Sequence, residues 1–201
     1  MWCTRQLASA RFLGRCFSAA SEQTRLGIIG VPFAKGQSKQ GVELAPDLLR
    51  QSNLRQVLQS SDERLLITDY GNLHYAVDET LLQQQRQHYY HIRNYADFMA
   101  CNLALIGQVQ VMLQQNAQFL TIGGDHAIGF GSVAGHLQHT PNLSLVWIDA
   151  HADINLHSTS QSGNIHGMPV SFLLQQLRAT WQHAALDQVA PNCSSYPQTW
   201  P

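Results

Sequence analysis

Short apolar runs closed by glycine or proline alternate along this chain with longer segments of helical spacing, which predicts an α/β fold on a mainly parallel sheet. Residues 26–31 and 118–122 are such runs, ended by Pro32 and by Gly123-Gly124. No internal repeat and no long linker divides the chain. With 201 residues, 44% of them hydrophobic, it holds enough apolar material for one core.

The elements follow in order. Residues 1–21 carry Arg5, Arg11 and Arg15 and no acidic side chain before Glu22. Ser9, Ser18 and Ser21 are interleaved there with Leu7, Phe12, Leu13 and Phe17. An Arg-rich, Ser-rich, acid-free amphipathic leader predicts a mitochondrial transit peptide and a matrix location. A disordered basic tail fits the same composition, and the segment is set aside from the fold.

Residues 26–31 then read as a buried strand. A polar turn runs from Lys35 to Gly41, and Pro46 opens a helix over 47–54 at a favoured early position. Residues 65–70 read as a second strand ending at Gly71, and 73–79 as loop. Residues 90–113 space Ile92, Tyr95, Ala96, Met99, Leu103, Ile106, Val109 and Leu113 as a helix would. A strand is expected at 118–122, a helix at 127–137, a strand at 143–148 and a helix at 166–177. Residues 178–201 have no periodicity, with Pro191, Pro197 and Pro201 among them, and read as an irregular tail.

Composition narrows the function. A net charge of -1 gives no basic stripe for nucleic acid. Charged residues make up 12%, against an average near 25%. No uninterrupted apolar run approaches the ~18 residues of a membrane span. Cys3, Cys16, Cys101 and Cys193 form no C-x-x-C pair, so a reducing compartment fits better than a disulfide or zinc framework.

Chemistry concentrates where two strands end, which is where α/β sheets gather ligands. One strand runs into Gly123-Gly124-Asp125-His126 and the other into Asp149-Ala150-His151-Ala152-Asp153. In extended backbone Asp149, His151 and Asp153 share a face. Three polar groups there need partners, and one divalent cation would satisfy all three. The two glycines allow a tight turn that brings His126 to the same mouth. A hydrogen-bonded histidine–carboxylate cluster also fits Asp149, His151 and Asp153, and a turn residue also fits His126. Asp125 reads as an N-cap rather than a ligand.

Carboxylates with imidazoles suit Mn, Zn or Fe, and bridging carboxylates suit two metals that share a hydroxide. Downstream, Asn155, Ser158, Thr159, Ser160, Gln161, Ser162 and Asn164 offer amides and hydroxyls to a small polar ligand. His166 stands at the loop exit, where it could act as a general acid or base. Solvated turn chemistry and a helix-start residue fit these positions as well.

Residues 30–37 (Gly30 to Gln37), Gly123 to His126, Asp149 to Asn155 and Ser162 to Phe172 together resemble the arginases of the ureohydrolase family, in order and spacing, over residues 26–177. The resemblance implies a single three-layer α/β domain, here 22–177, with a central mainly parallel sheet, incomplete at the C-terminus. It implies hydrolysis of L-arginine to L-ornithine and urea, and a trimer or hexamer for the full-length form. It implies a site with two Mn2+ per subunit. His126, Asp149, His151 and Asp153 match metal ligands. Asn155, Ser160 and Ser162 match substrate-binding positions, and His166 matches the catalytic proton shuttle.

The sequence also departs from the family pattern. The family takes further carboxylates from later positions, whereas this chain has only Asp187 and no glutamate after Asp153. The second metal site is therefore expected to be incomplete and the chain inactive alone. The alternatives are a non-catalytic form that modifies assembly of full-length arginase, or another ureohydrolase such as an agmatinase.

Overall fold

The computed structural model describes residues 23–181, together with 184 and 186. The leader read as a transit peptide lies outside the described residues, as does most of the tail after Trp181.

Three parallel strands form the sheet, β1 (Thr24–Val31), β2 (Leu65–Asn72) and β3 (Gln118–Gly123), in the order β2-β1-β3. The most apolar run takes the centre because only a central strand is covered on both sides, and Leu26 to Val31 are all buried. Ile28 pairs with Asp69 on one flank and with Leu120 on the other.

Alternation along β1 divides the core into two layers. Leu26 and Ile28 join Ile67 and Ile122, with Leu54 and Leu58 packed against them. Ile29 and Val31 face the larger cluster of Phe98, Met99, Leu105, Val109 and Phe130. Helices therefore cover both faces of the sheet, as the three-layer reading expects. The crossover from β1 to β2 carries α1 (Ala45–Gln51) and α2 (Leu54–Ser61). The crossover from β2 to β3 carries α3 (Glu79–Gln87) and α4 (Tyr95–Gln115), and α5 (Gly129–His139) follows β3.

α4 is the spine of the core. Its apolar positions extend beyond one stripe, and twelve of its residues are buried. It is long and apolar enough to cross a membrane by length and composition, with a mean hydropathy of 1.4. Here it is a core helix packed on α5, and Asp97, Asn102 and Gln108 break its apolar runs. Buried Asn102 fastens the two helices, donating to the Phe98 carbonyl (2.9 Å) and accepting from the Gly131 amide (2.7 Å). Gly135 lets them approach closely, since a Cβ there would lie 3.0 Å from the Ile106 carbonyl oxygen.

Several elements differ from the sequence reading. The helix expected over 47–54 breaks at Asn53, whose φ of 62° is left-handed, and resumes as α2. Residues 79–87, beyond the expected loop, are helical because Asp78 caps them by accepting from the Leu81 amide at 2.8 Å. α4 begins at Tyr95 rather than at 90, after Asn94 with φ 53°.

Residues 143–148 form no strand. An apolar run is present, but no neighbouring strand supplies ladder partners, and Val146 and Ile148 are 80% and 94% exposed. Residues 166–177 form no α-helix either. Pro169 has no amide to donate within a helix, and Ser171 Oγ closes a local turn onto the Met168 carbonyl at 2.6 Å. Short 3-10 turns at Ile165–Gly167 and Gln175–Trp181 replace it. The second delivers Trp181, which is buried and stacks on Phe172 with ring centroids 3.9 Å apart.

Candidate functional site

The turn after β3 is built to present one imidazole. Beyond the last ladder position, the Gly124 amide donates to Val31 O (3.1 Å) and the Asp125 amide to Phe33 O (2.8 Å). Gly124 is required here, because a Cβ would sit 2.3 Å from the Phe33 carbonyl oxygen. Asp125, buried, accepts from the Ala127 amide at 2.8 Å and acts as the expected cap. His126 then projects at the strand mouth, half of its ring surface covered.

Asp149 and Asp153 reach this imidazole by an irregular path. The Asp149 carboxylate accepts from the His151 amide at 2.9 Å, and this bond holds its carboxyl below the usual range. Asp153 adopts a φ of 51°, a left-handed conformation that aspartate tolerates better than most residues. Its carbonyl accepts from the Val170 amide at 3.1 Å, and its carboxylate is 3% exposed. His126 Nδ1 lies 3.9 Å from Asp149 Oδ2, and His126 Nε2 lies 3.4 Å from Asp153 Oδ2.

The donor atoms of His126, Asp149 and Asp153 fall within 4.8 Å of one another. Bonds of about 2.1 Å to a cation place its donors roughly 3 to 4.2 Å apart. Closure by about half an ångström would therefore seat an ion. One imidazole with two carboxylates suits a borderline divalent cation.

The remaining predicted residues are placed as follows. The His151 side chain is 82% exposed, its Nδ1 3.7 Å from Asp149 Oδ1, and it stands outside the three-residue group. The shared face expected of Asp149, His151 and Asp153 does not form, because residues 149–153 are not extended strand and Asp153 turns left-handed. His166 packs beside the group, its ring stacked on that of His126 with centroids 5.2 Å apart. Its amide donates to Gly36 O (3.0 Å) and its carbonyl accepts from His126 Nε2 (2.8 Å).

The Asn155 amide donates to Gly167 O at 3.0 Å, which ties the loop start to the loop exit. Ser160 Oγ accepts from the Gly163 amide at 3.1 Å, and Ser162 Oγ accepts from the Asn164 amide at 3.2 Å. Both hydroxyls thus keep an O–H to donate.

Sequence reasoning missed Trp147. Its Nε1 donates to Asp153 Oδ2 at 3.2 Å. A signal was available, since the indole is the one hydrogen-bond donor among the side chains of Leu145-Val146-Trp147-Ile148. An apolar cavity of about 180 Å³, lined by Val133, Leu137, Leu145, Trp147, Val170 and Leu173, has no ionisable lining residue and adjoins this cluster at Trp147.

Known proteins resemble this chain in sequence and in fold. Residues 24–190 match the sequence profile of the arginase family. The chain is 39% identical to Arginase-1 of Oryctolagus cuniculus over 160 residues, covering 79% of this chain and 47% of that relative. It is 38% identical to mitochondrial Arginase-2 of the same organism over 153 residues, covering 76% and 42%. The structure resembles arginase from Bacillus caldovelox with a TM-score of 0.63 at 32% identity, covering 75% of this chain and 48% of that one. The chain thus spans about half the length of the curated relatives it matches. A matched profile over most of the chain and an arginase-like fold place this protein in the arginase family.

Proposed function

We propose that this chain carries part of a hydrolase site that converts L-arginine and water to L-ornithine and urea, with Mn2+ as its cation. The observation that carries the reading is the convergence of His126, Asp149 and Asp153 on one mouth. These three residues would hold the ion, and His151 would have to rotate inward to join them as a fourth ligand. A bound divalent cation supplies an acidified water as nucleophile toward the guanidinium carbon.

The chain's own residues have distinct tasks in this scheme. The O–H groups of Ser160 and Ser162, with the Asn155 side-chain amide, bind the substrate's α-carboxylate. His166, beside His126, hands a proton to the departing amine. The complete family site is proposed to hold two Mn2+ per subunit within a trimer or hexamer. Beyond Asp153 the 201-residue sequence has one carboxylate side chain, Asp187. The second ion is therefore held weakly, and the chain alone turns over slowly. The leader composition supports a mitochondrial location. A second reading, a non-catalytic form that modifies assembly of full-length arginase, is favoured by the exposure of Val146 and Ile148.

The test pairs binding with turnover. Calorimetry of the Mn2+-loaded chain should show L-ornithine binding and no binding of agmatine, and urea release from L-arginine should fall far below that of a full-length relative. Agmatine binding in place of ornithine would overturn the substrate assignment. Turnover matching a full-length relative would overturn the claim that the chain alone is slow.

A further inference from the structure

We propose that Trp147 is a positioning residue for Asp153, aiming one carboxylate oxygen through its indole N–H. The inference rests on the cation-site reading but also makes a claim that needs no cation. Asp153 is the most buried member of the group, with a side chain 3% exposed. A carboxylate so enclosed needs hydrogen-bond donors to satisfy and orient its oxygens. Two ring N–H groups approach the same atom, Oδ2: Trp147 Nε1 at 3.2 Å and His126 Nε2 at 3.4 Å. His126 Nε2 is already engaged with the His166 carbonyl at 2.8 Å. The indole is therefore the donor committed to Asp153.

The indole is itself held in place. Its ring lies over Gly129 at the start of α5, where an added Cβ would come within 2.5 Å of Trp147 Cη2. It is thus wedged between the helix start and the carboxylate. The backbone of residues 143–148 contributes no ladder of its own, so this side-chain bond is a specific link between that segment and the metal mouth. Outer-sphere donors of this kind orient a ligand oxygen, and their loss commonly weakens metal binding by about 10–100-fold.

The experiment uses the full chain and two readouts. In 15N-labelled, cation-free protein the Trp147 indole N–H resonance is assigned by its loss in Trp147→Phe. Asp153→Ala should move that resonance upfield, whereas Asp149→Ala should leave it nearly in place. Calorimetry with Mn2+ alone should then give about tenfold weaker binding for Trp147→Phe. That loss should vanish when Asp153→Ala is already present, as a double-mutant cycle requires of residues acting through one another. An indole resonance indifferent to Asp153→Ala overturns the proposal. Equal Mn2+ affinity in wild type and Trp147→Phe also overturns it. A wild-type chain that binds no Mn2+, but whose indole still responds to Asp153→Ala, overturns the cation reading and leaves the Trp147–Asp153 link standing.

Discussion

The main-chain carbonyl of His166 accepts a hydrogen bond from His126 Nε2 at 2.8 Å, and the two rings stack at 5.2 Å. A carbonyl can only accept, so Nε2 is the donor in this pair, and Nδ1 is the ring nitrogen on the Asp149 side. The residue proposed to move protons thus also orients, through its backbone, the ring of a proposed metal ligand. The ring and the carbonyl of His166 can be separated by mutation. His166→Ala should leave Mn2+ affinity within about threefold, while His126→Ala should lower it at least about tenfold. Calorimetry of both variants checks the pair of outcomes.

Gly124→Ala tests the turn that presents His126. The new Cβ would meet the Phe33 carbonyl oxygen at 2.3 Å, and that oxygen belongs to backbone that cannot swing aside. The strand end must shift, at a cost of about 1–3 kcal/mol of stability. Urea denaturation measures that loss, and Mn2+ affinity should fall with it.

Trp181→Ala tests whether the last described turn belongs to the core. Its ring is 1% exposed and stacks on Phe172 and near Tyr89. Removing a buried indole costs on the order of 3–5 kcal/mol. A change near zero in the denaturation midpoint would mean that residues 175–181 do not pack as described.

The loop that carries Ser160 and Ser162 is held in part by His157. Its Nε2 bonds the Thr180 carbonyl at 3.1 Å, and its ring lies among His91, Tyr89 and Trp181. Burial, with His91 nearby, pushes its pKa below the ordinary histidine value, although the Thr180 bond acts in the other direction. The folded state therefore prefers the neutral ring. Stability from this site is present above about pH 6.5, the unfolded value, and is lost as pH falls through the lower folded value. Between about pH 7.5 and pH 5.5, wild type should lose more of its thermal midpoint than His157→Gln. Solvent screening keeps the difference small, on the order of 1 °C. His136, whose pKa burial also lowers, is common to both proteins and cancels.

The parallel α/β architecture was legible because β1, β2 and β3 each carry a local signal, an apolar run with a glycine or proline at its end. α4 was legible from its periodicity, although Asn94 set its start. The candidate mouth was legible as far as residue types allow, and His126, Asp149 and Asp153 do converge. The path to it was not legible. The apolar run at 143–148 promised a strand, but a strand also needs a partner ladder, which is a tertiary fact. Asp153 reaches the mouth through a left-handed backbone rather than a pleat, so His151 points elsewhere. Trp147 escaped notice because an indole among apolar neighbours reads as core until its N–H finds a carboxylate.

The central claim is that His126, Asp149 and Asp153 grip one divalent cation. Titration of Mn2+ into the purified chain, followed by electron paramagnetic resonance of the free ion, tests it most directly. The account predicts saturable uptake of one tightly held ion per chain, reduced at least about tenfold by Asp153→Ala. Uptake unchanged in Asp153→Ala, or no saturable uptake at all, would contradict it.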